Sequence, residues 1–164
     1  LERIAPAPRQ VPAALGEGET VSLNILVADE LESAKSDGEM RPPVLTIRFS
    51  YFCIEDDVEI RLNGTVLPIE DAEITDERAM HMPAIPGWFR GTIEAPRGMS
   101  AHWFRYQLDS DSIVQGENTL EVEAKRFSET ASFTRSVSGV EIQTRYKDFE
   151  RPLGLEVDRV APRN

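Results

Sequence analysis

The feature that most constrains this chain is a hydrophobic period of two. Val21, Leu23, Ile25 and Val27 alternate with polar or exposed positions, and Leu45, Ile47, Phe49 and Tyr51 alternate with Thr46, Arg48 and Ser50. Val58, Ile60 and Leu62 alternate with Glu59 and Arg61, and Phe104, Tyr106 and Leu108 alternate with Arg105 and Gln107. Leu120, Val122 and Ala124 alternate with Glu121 and Glu123, and Val140, Ile142 and Tyr146 alternate with Glu141, Gln143 and Arg145. Successive side chains of a strand point to opposite faces, so each segment has one dry face and one wet face. The pattern predicts antiparallel sheets packed as an all-β sandwich of the jelly-roll kind. The one helix-like stretch is DELESAKS, residues 29–36, a turn or two ending near Gly38.

At 164 residues the chain is sized for one domain. Residues 1–18 hold three prolines and no sustained period, which predicts a linker or a surface-draped arm. The sandwich is expected over 19–148, and 149–164, with Pro152, Gly154 and Pro162, reads as a second tail. Beginning at Leu1 in a Pro/Ala-rich stretch, the chain is expected to be a piece of a longer protein whose neighbouring domains are its partners. The single cysteine, Cys53, excludes an internal disulfide and a Cys-cluster metal site.

Eighteen Lys and Arg against 29 Asp and Glu give a net charge of −11. That balance argues against nucleic acid, whose phosphates need a basic footprint, and against an anionic membrane surface. No apolar run approaches the roughly 18–20 residues of a membrane-spanning helix. The acidity is lopsided: residues 1–87 carry 17 acidic and 7 basic side chains, and 88–164 carry 12 and 11. An anionic partner meets less repulsion in the second half.

Two turn signatures stand out. Asn63-Gly64 follows Val58–Leu62 and precedes Thr65-Val66-Leu67, and Asn-Gly suits the type I′ turn that matches strand twist. Gln115-Gly116-Glu117-Asn118 opens the strand that follows, with Gly116 permitting a sharp turn and Asn118 able to satisfy nearby backbone groups. The run V-E-I-R-L-N-G (58–64), W-F-R-Y-Q-L (103–108), G-E-N-T-L-E-V (116–122) and V-E-I-Q-T-R-Y (140–146) resembles the galactose-binding-domain-like β-sandwich, over about residues 20–147. Such modules recur in bacterial glycoside hydrolases, as carbohydrate-binding modules and as non-catalytic sandwich domains beside a catalytic barrel. The resemblance implies a glycan-related accessory role in an extracellular or periplasmic setting. The family's sugar-binding residues follow no fixed motif, so none carries over by position. Similar modules commonly hold a structural calcium ion, which no motif locates here.

Catalysis finds little support in the residues. His81 and His102 have no metal-protease spacing, and there is no GxSxG or phosphate loop. Cys53, between Phe52 and Ile54, reads as a buried thiol rather than a nucleophile. Carboxylate pairs such as Asp56-Asp57 and Glu70-Asp71 arise easily in so acidic a chain, and the expectation is no enzyme. For calcium, which takes carboxylate and loop-carbonyl oxygens, the candidates are Asp29, Glu30 and Asp37 around the helical turn and Asp109 and Asp111 in a loop. Solvated acidic loops explain the same residues. Asn63-Gly64-Thr65 is also a glycosylation sequon, and a tight hairpin turn accounts for it as well.

The stretch from Trp88 to Leu108 carries the binding hypothesis. If Arg97-Gly98 is a two-residue turn, Thr92 faces Trp103, Arg90 faces Arg105, and Trp88 faces Gln107. Period-two geometry then gathers Trp88, Arg90, Trp103, Arg105 and Gln107 on one face, opposite Phe104, Tyr106 and Leu108. Indole faces stack on pyranose rings, while Arg and Gln donate to hydroxyls or carboxylates. Two facing arginines repel unless something anionic, such as a uronic acid, relieves them. The competing reading covers both tryptophans with the arm, the tail or another sheet, and a one-residue slip would move every side chain to the other face. The functional expectation is a non-catalytic module binding a polysaccharide or oligosaccharide. The alternative is a structural sandwich packed beside a glycoside hydrolase domain.

Overall fold

A computed structural model describes residues 2–4, 10–53, 55–76, 100–128 and 134–146. The strands are β1 (Glu2–Ile4), β2 (Ala13–Leu15), β3 (Thr20–Val27), β4 (Met40–Phe52), β5 (Asp57–Leu62), β6 (Thr65–Leu67), β7 (Glu73–Asp76), β8 (Ser100–Gln107), β9 (Gly116–Arg126) and β10 (Arg135–Tyr146). One short helix, α1 (Leu31–Ser36), follows β3. The larger sheet has the order β1-β10-β4-β8-β7, with β2 also on β10, and the smaller has β3-β9-β5-β6. Every pair is antiparallel. All six segments with period-two alternation are strands, and the two-layer sandwich is the fold.

The dry faces meet as expected. Leu23, Ile25 and Val27 of β3, Ile60 and Leu62 of β5, and Leu120 and Val122 of β9 are buried on the smaller sheet. Leu45, Ile47 and Phe49 of β4, Phe104 and Tyr106 of β8, and Val140 and Ile142 of β10 are buried on the larger. Phe49, Phe52 and Phe104 form an aromatic knot, with centroids 5.0 Å apart for Phe49–Phe52 and Phe49–Phe104 and 5.5 Å for Phe52–Phe104. A bulge in β4 between Phe49 and Phe52 lets both rings face the core although an odd number of steps separates them.

Part of the 1–18 arm lies on the sandwich: β1 and β2 both pair with β10. The tail at 149–164 lies outside the described residues. Helix α1 forms where expected, with Glu30 as its N-cap accepting from the Ser33 amide and Gly38 just past its end at φ +66°.

The two turn signatures prove to be halves of one unit. Asn63 and Gly64 have φ of +51° and +81°, as a type I′ turn requires. Asn63 Nδ2 donates to Ser112 O (3.0 Å) and to Asn118 Oδ1 (2.9 Å), and Asn63 Oδ1 accepts from the Thr119 amide (2.9 Å). Fully buried Asn118 also accepts from the Val114 amide (2.9 Å) and donates to the carbonyls of Val114 (2.8 Å) and Gly116 (3.2 Å). Both amide hydrogens of Asn63 are engaged, which favours the turn reading over the glycan acceptor.

Candidate functional site

The outward face of the larger sheet is the candidate site. Its residues come from alternate positions of β10, β4, β8 and β7, and strand pairing sets them in rows. One row reads Arg48, Trp103, Thr75; the next reads Glu141, Thr46, Arg105, Glu73; a third reads Gln143, Val44, Gln107. Phe104 and Tyr106, between these positions on β8, are buried, whereas Trp103 is half-buried and Arg105 and Gln107 are exposed. Three of the five expected binding residues therefore share the wet face, as the alternation predicts. Trp88 and Arg90, like the turn at 97–98, lie outside the described residues.

The expected hairpin register is overturned at Trp103 and Arg105. From His102 to Arg105, β4 occupies one edge of β8 and β7 the other, so Trp103 faces Thr75 and Arg105 faces Glu73, not Thr92 and Arg90. The Arg–Arg pairing is replaced by an ion pair, Arg105 Nη1 to Glu73 at 3.3 Å. Sequence reasoning missed β7 because Glu-Ile-Thr-Asp has a single apolar residue and no period to detect.

It also missed Arg48. The guanidinium carbon lies 5.7 Å from the Trp103 ring centroid, a cation–π distance, and Nη1 donates to Ser50 (2.9 Å) and Ser138 (2.7 Å). Its alternation was visible, but its partnership with Trp103 depends on β4 lying beside β8, which no local pattern encodes.

The acidic candidates for calcium are scattered. Asp29 accepts from the Tyr146 hydroxyl (3.0 Å) and from Thr144 (3.4 Å), and Glu30 caps α1. Asp37 ends the helix, while exposed Asp109 precedes a 3-10 turn at Ser110–Ser112 and exposed Asp111 lies within it. Among the described residues, no three His, Cys, Asp or Glu side chains are gathered as a metal site would need.

At one end of the sandwich, Asp56 and Arg135 form a buried bidentate pair (3.0 and 2.9 Å), and Asp56 also accepts from the amides of Cys53 and Ser128. The Cys53 thiol is buried, and desolvation, helped by the Asp56 charge, pushes its pKa up, away from a nucleophile's. His102 is also buried, packed edge-on to Phe52 at 5.6 Å, and His81 lies outside the described residues. Nearby, a shallow groove of about 500 Å³ is lined by Glu17, Glu55, Arg126, Phe127 and Ser128. Its polar groups hold loops: Glu17 accepts from the Phe127 amide, and the Phe127 ring lies under Arg135 at 4.3 Å.

No family model matches the chain, and no curated protein matches it. Among solved structures it is similar to BpGH86A, a β-porphyranase of glycoside hydrolase family 86 from the human gut bacterium Bacteroides plebeius. The TM-score is 0.52 at 10% identity, with 88% of this chain and 20% of that chain covered. The chain thus spans about a fifth of that enzyme, and at this identity the likeness is one of sandwich fold.

Proposed function

We propose that this chain is a non-catalytic, carbohydrate-binding accessory module of a larger glycan-processing protein, galactose-binding-domain-like in kind. It contacts its glycan through the outward face of the larger sheet. The observation that carries this reading is Trp103, set on a polar sheet face with Arg48 against its ring and exposed Arg105 and Gln107 beside it. Such a surface offers an indole for stacking and several donors for hydroxyls. The fold likeness to part of a glycoside hydrolase supports the setting.

The test is retention on a panel of immobilised neutral and acidic polysaccharides. Trp103→Ala is expected to lower retention about tenfold or more. It should cost clearly less stability than the roughly 3–5 kcal/mol of a fully buried Trp. A second reading, a structural domain packed beside a catalytic one, draws on the cover already on this face: Trp103 is half-buried and Arg105 is ion-paired. Wild-type protein retained by no polysaccharide would favour that reading.

A further inference from the structure

We infer that Asn63 is a modification site: it deamidates by attack of the Gly64 backbone nitrogen on its side-chain amide, and the pairing of β5 with β9 gates the reaction. Each opening of that pairing exposes the turn to a change the fold cannot reverse. The inference is independent of the carbohydrate reading.

The chemistry follows from the dipeptide. Asn63 precedes Gly64, whose nitrogen has no side chain beside it to hinder attack, whereas Asn24 and Asn118 precede Ile25 and Thr119. A base takes the Gly64 amide proton, the nitrogen bonds to Asn63 Cγ, and the Cγ–Nδ2 bond breaks. Ammonia leaves with the returned proton, and a five-membered imide remains. Water then opens the imide at either carbonyl, giving aspartate or isoaspartate at position 63. Base and water are the only reagents, and both reach the turn. Asn63 and Gly64 are exposed, and a Cβ placed on Gly64 would meet nothing within 4 Å. Solvent access therefore does not restrain the reaction.

Geometry does. Leu62 and Leu120 are the last registered pair of β5 and β9 before the turn, and Asn63 carries the ladder one step further. Its backbone amide donates to the Thr119 carbonyl (2.8 Å), and its side-chain Oδ1 accepts from the Thr119 amide (2.9 Å). Nδ2 donates to Ser112 O (3.0 Å) and to Oδ1 of fully buried Asn118 (2.9 Å). Bringing the Gly64 nitrogen onto Cγ means rotating the carboxamide out of three bonds at once. The reaction thus waits on a local opening of the β5–β9 end. Its products no longer fit. A carboxylate has no hydrogen for Ser112 O or Asn118 Oδ1 and sets a charge against both oxygens. Isoaspartate also lengthens the backbone inside a two-residue turn, which disturbs the Leu62–Thr65 pairing.

The experiment follows conversion at Asn63 by peptide mapping and mass spectrometry at mildly alkaline pH, in buffer, in graded urea below the unfolding midpoint, and in urea above it. Conversion is expected to be roughly tenfold or more slower in buffer than in the unfolded chain. Below the midpoint it should rise in step with hydrogen exchange at the Thr119 amide, which the same opening exposes. Asn118→Ala, which takes one acceptor from Asn63, should speed conversion in buffer roughly two- to tenfold and leave the rate above the midpoint unchanged. Should that variant fail to fold, the wild-type urea series decides alone. Asn63→Asp, which imitates one product, should unfold at a lower urea concentration than wild type. Conversion in buffer as fast as in the unfolded chain, or unrelated to Thr119 exchange, would overturn the gate. An Asn63→Asp midpoint equal to that of wild type would overturn its consequence.

Discussion

Asn118 shows how much one side chain can organise. Its carboxamide answers the Val114 amide, the carbonyls of Val114 and Gly116, and the Asn63 side chain, all out of water. Asn118→Ala would strand several of these at once, and it should cost about 2–4 kcal/mol, read as a lower urea midpoint at constant m-value. Asn118→Asp accepts the same donors but cannot donate to the two carbonyls, so it should fall between. Both motifs were legible as turns, because Asn-Gly and Gly-x-Asn declare their backbone needs locally. The bond between Asn63 and Asn118, 55 positions apart, was not legible, since only the β5–β9 pairing brings them together. The same holds for Arg48 and Trp103. Tyr106 makes the opposite case: a strand residue whose hydroxyl is buried with no hydrogen-bond partner among the described residues. Desolvation, with the charges of Asp71 and Glu70, pushes its pKa up to about 12 from an ordinary 10.0. The unfolded chain therefore releases this proton first, and stability should decline between about pH 10 and pH 12. Tyr106→Phe should remove that alkaline loss and match or exceed wild type at pH 7, as paired urea titrations at the two pH values would show.

Strands with a long alternation were readable and short ones were not. The six periodic segments each present three or more apolar side chains to one face, enough to fix both type and register. β1 and β2 have three residues each and β7 has four, too few for a period to emerge. The cost of missing β7 was the wrong neighbour for Arg105, because an edge that looked free was taken. Edges matter at the other end of the fold too. β3 is the outer strand of the smaller sheet, and the Gln10 side chain meets it. The Asn24 amide donates to Gln10 Oε1 (2.8 Å), and Gln10 Nε2 donates to the Asn24 carbonyl (3.2 Å). A side-chain amide thus makes both bonds that a peptide group of a neighbouring strand would make, which blunts an edge open to pairing with another chain. Gln10→Ala should speed hydrogen exchange at the Asn24 amide and increase concentration-dependent self-association in sedimentation velocity. Unchanged protection and an unchanged sedimentation profile would show that the edge is guarded by something else.

At the scale of the molecule, the two faces of the sandwich should answer salt differently. The smaller sheet concentrates carboxylates, and its ladder of Glu59, Arg61, Glu123 and Lys125 offsets only part of them. Lys125 hydrogen-bonds Glu123 and lowers its pKa, so this pairing stabilises above the ordinary carboxylate range and is lost as pH falls through the lowered value. The pairing is exposed, which keeps its contribution small. The uncompensated acids repel one another in the compact chain, and added salt screens that repulsion. Raising NaCl from low to physiological concentration should therefore raise Tm, by about 2–4 °C for each kcal/mol of repulsion relieved in a chain of this size. The same salt should leave retention on a neutral polysaccharide largely unchanged, because stacking on Trp103 carries no charge to screen. A single titration followed by both thermal unfolding and affinity electrophoresis would see the two curves diverge. If retention fell as the salt rose, charge rather than stacking would dominate the face.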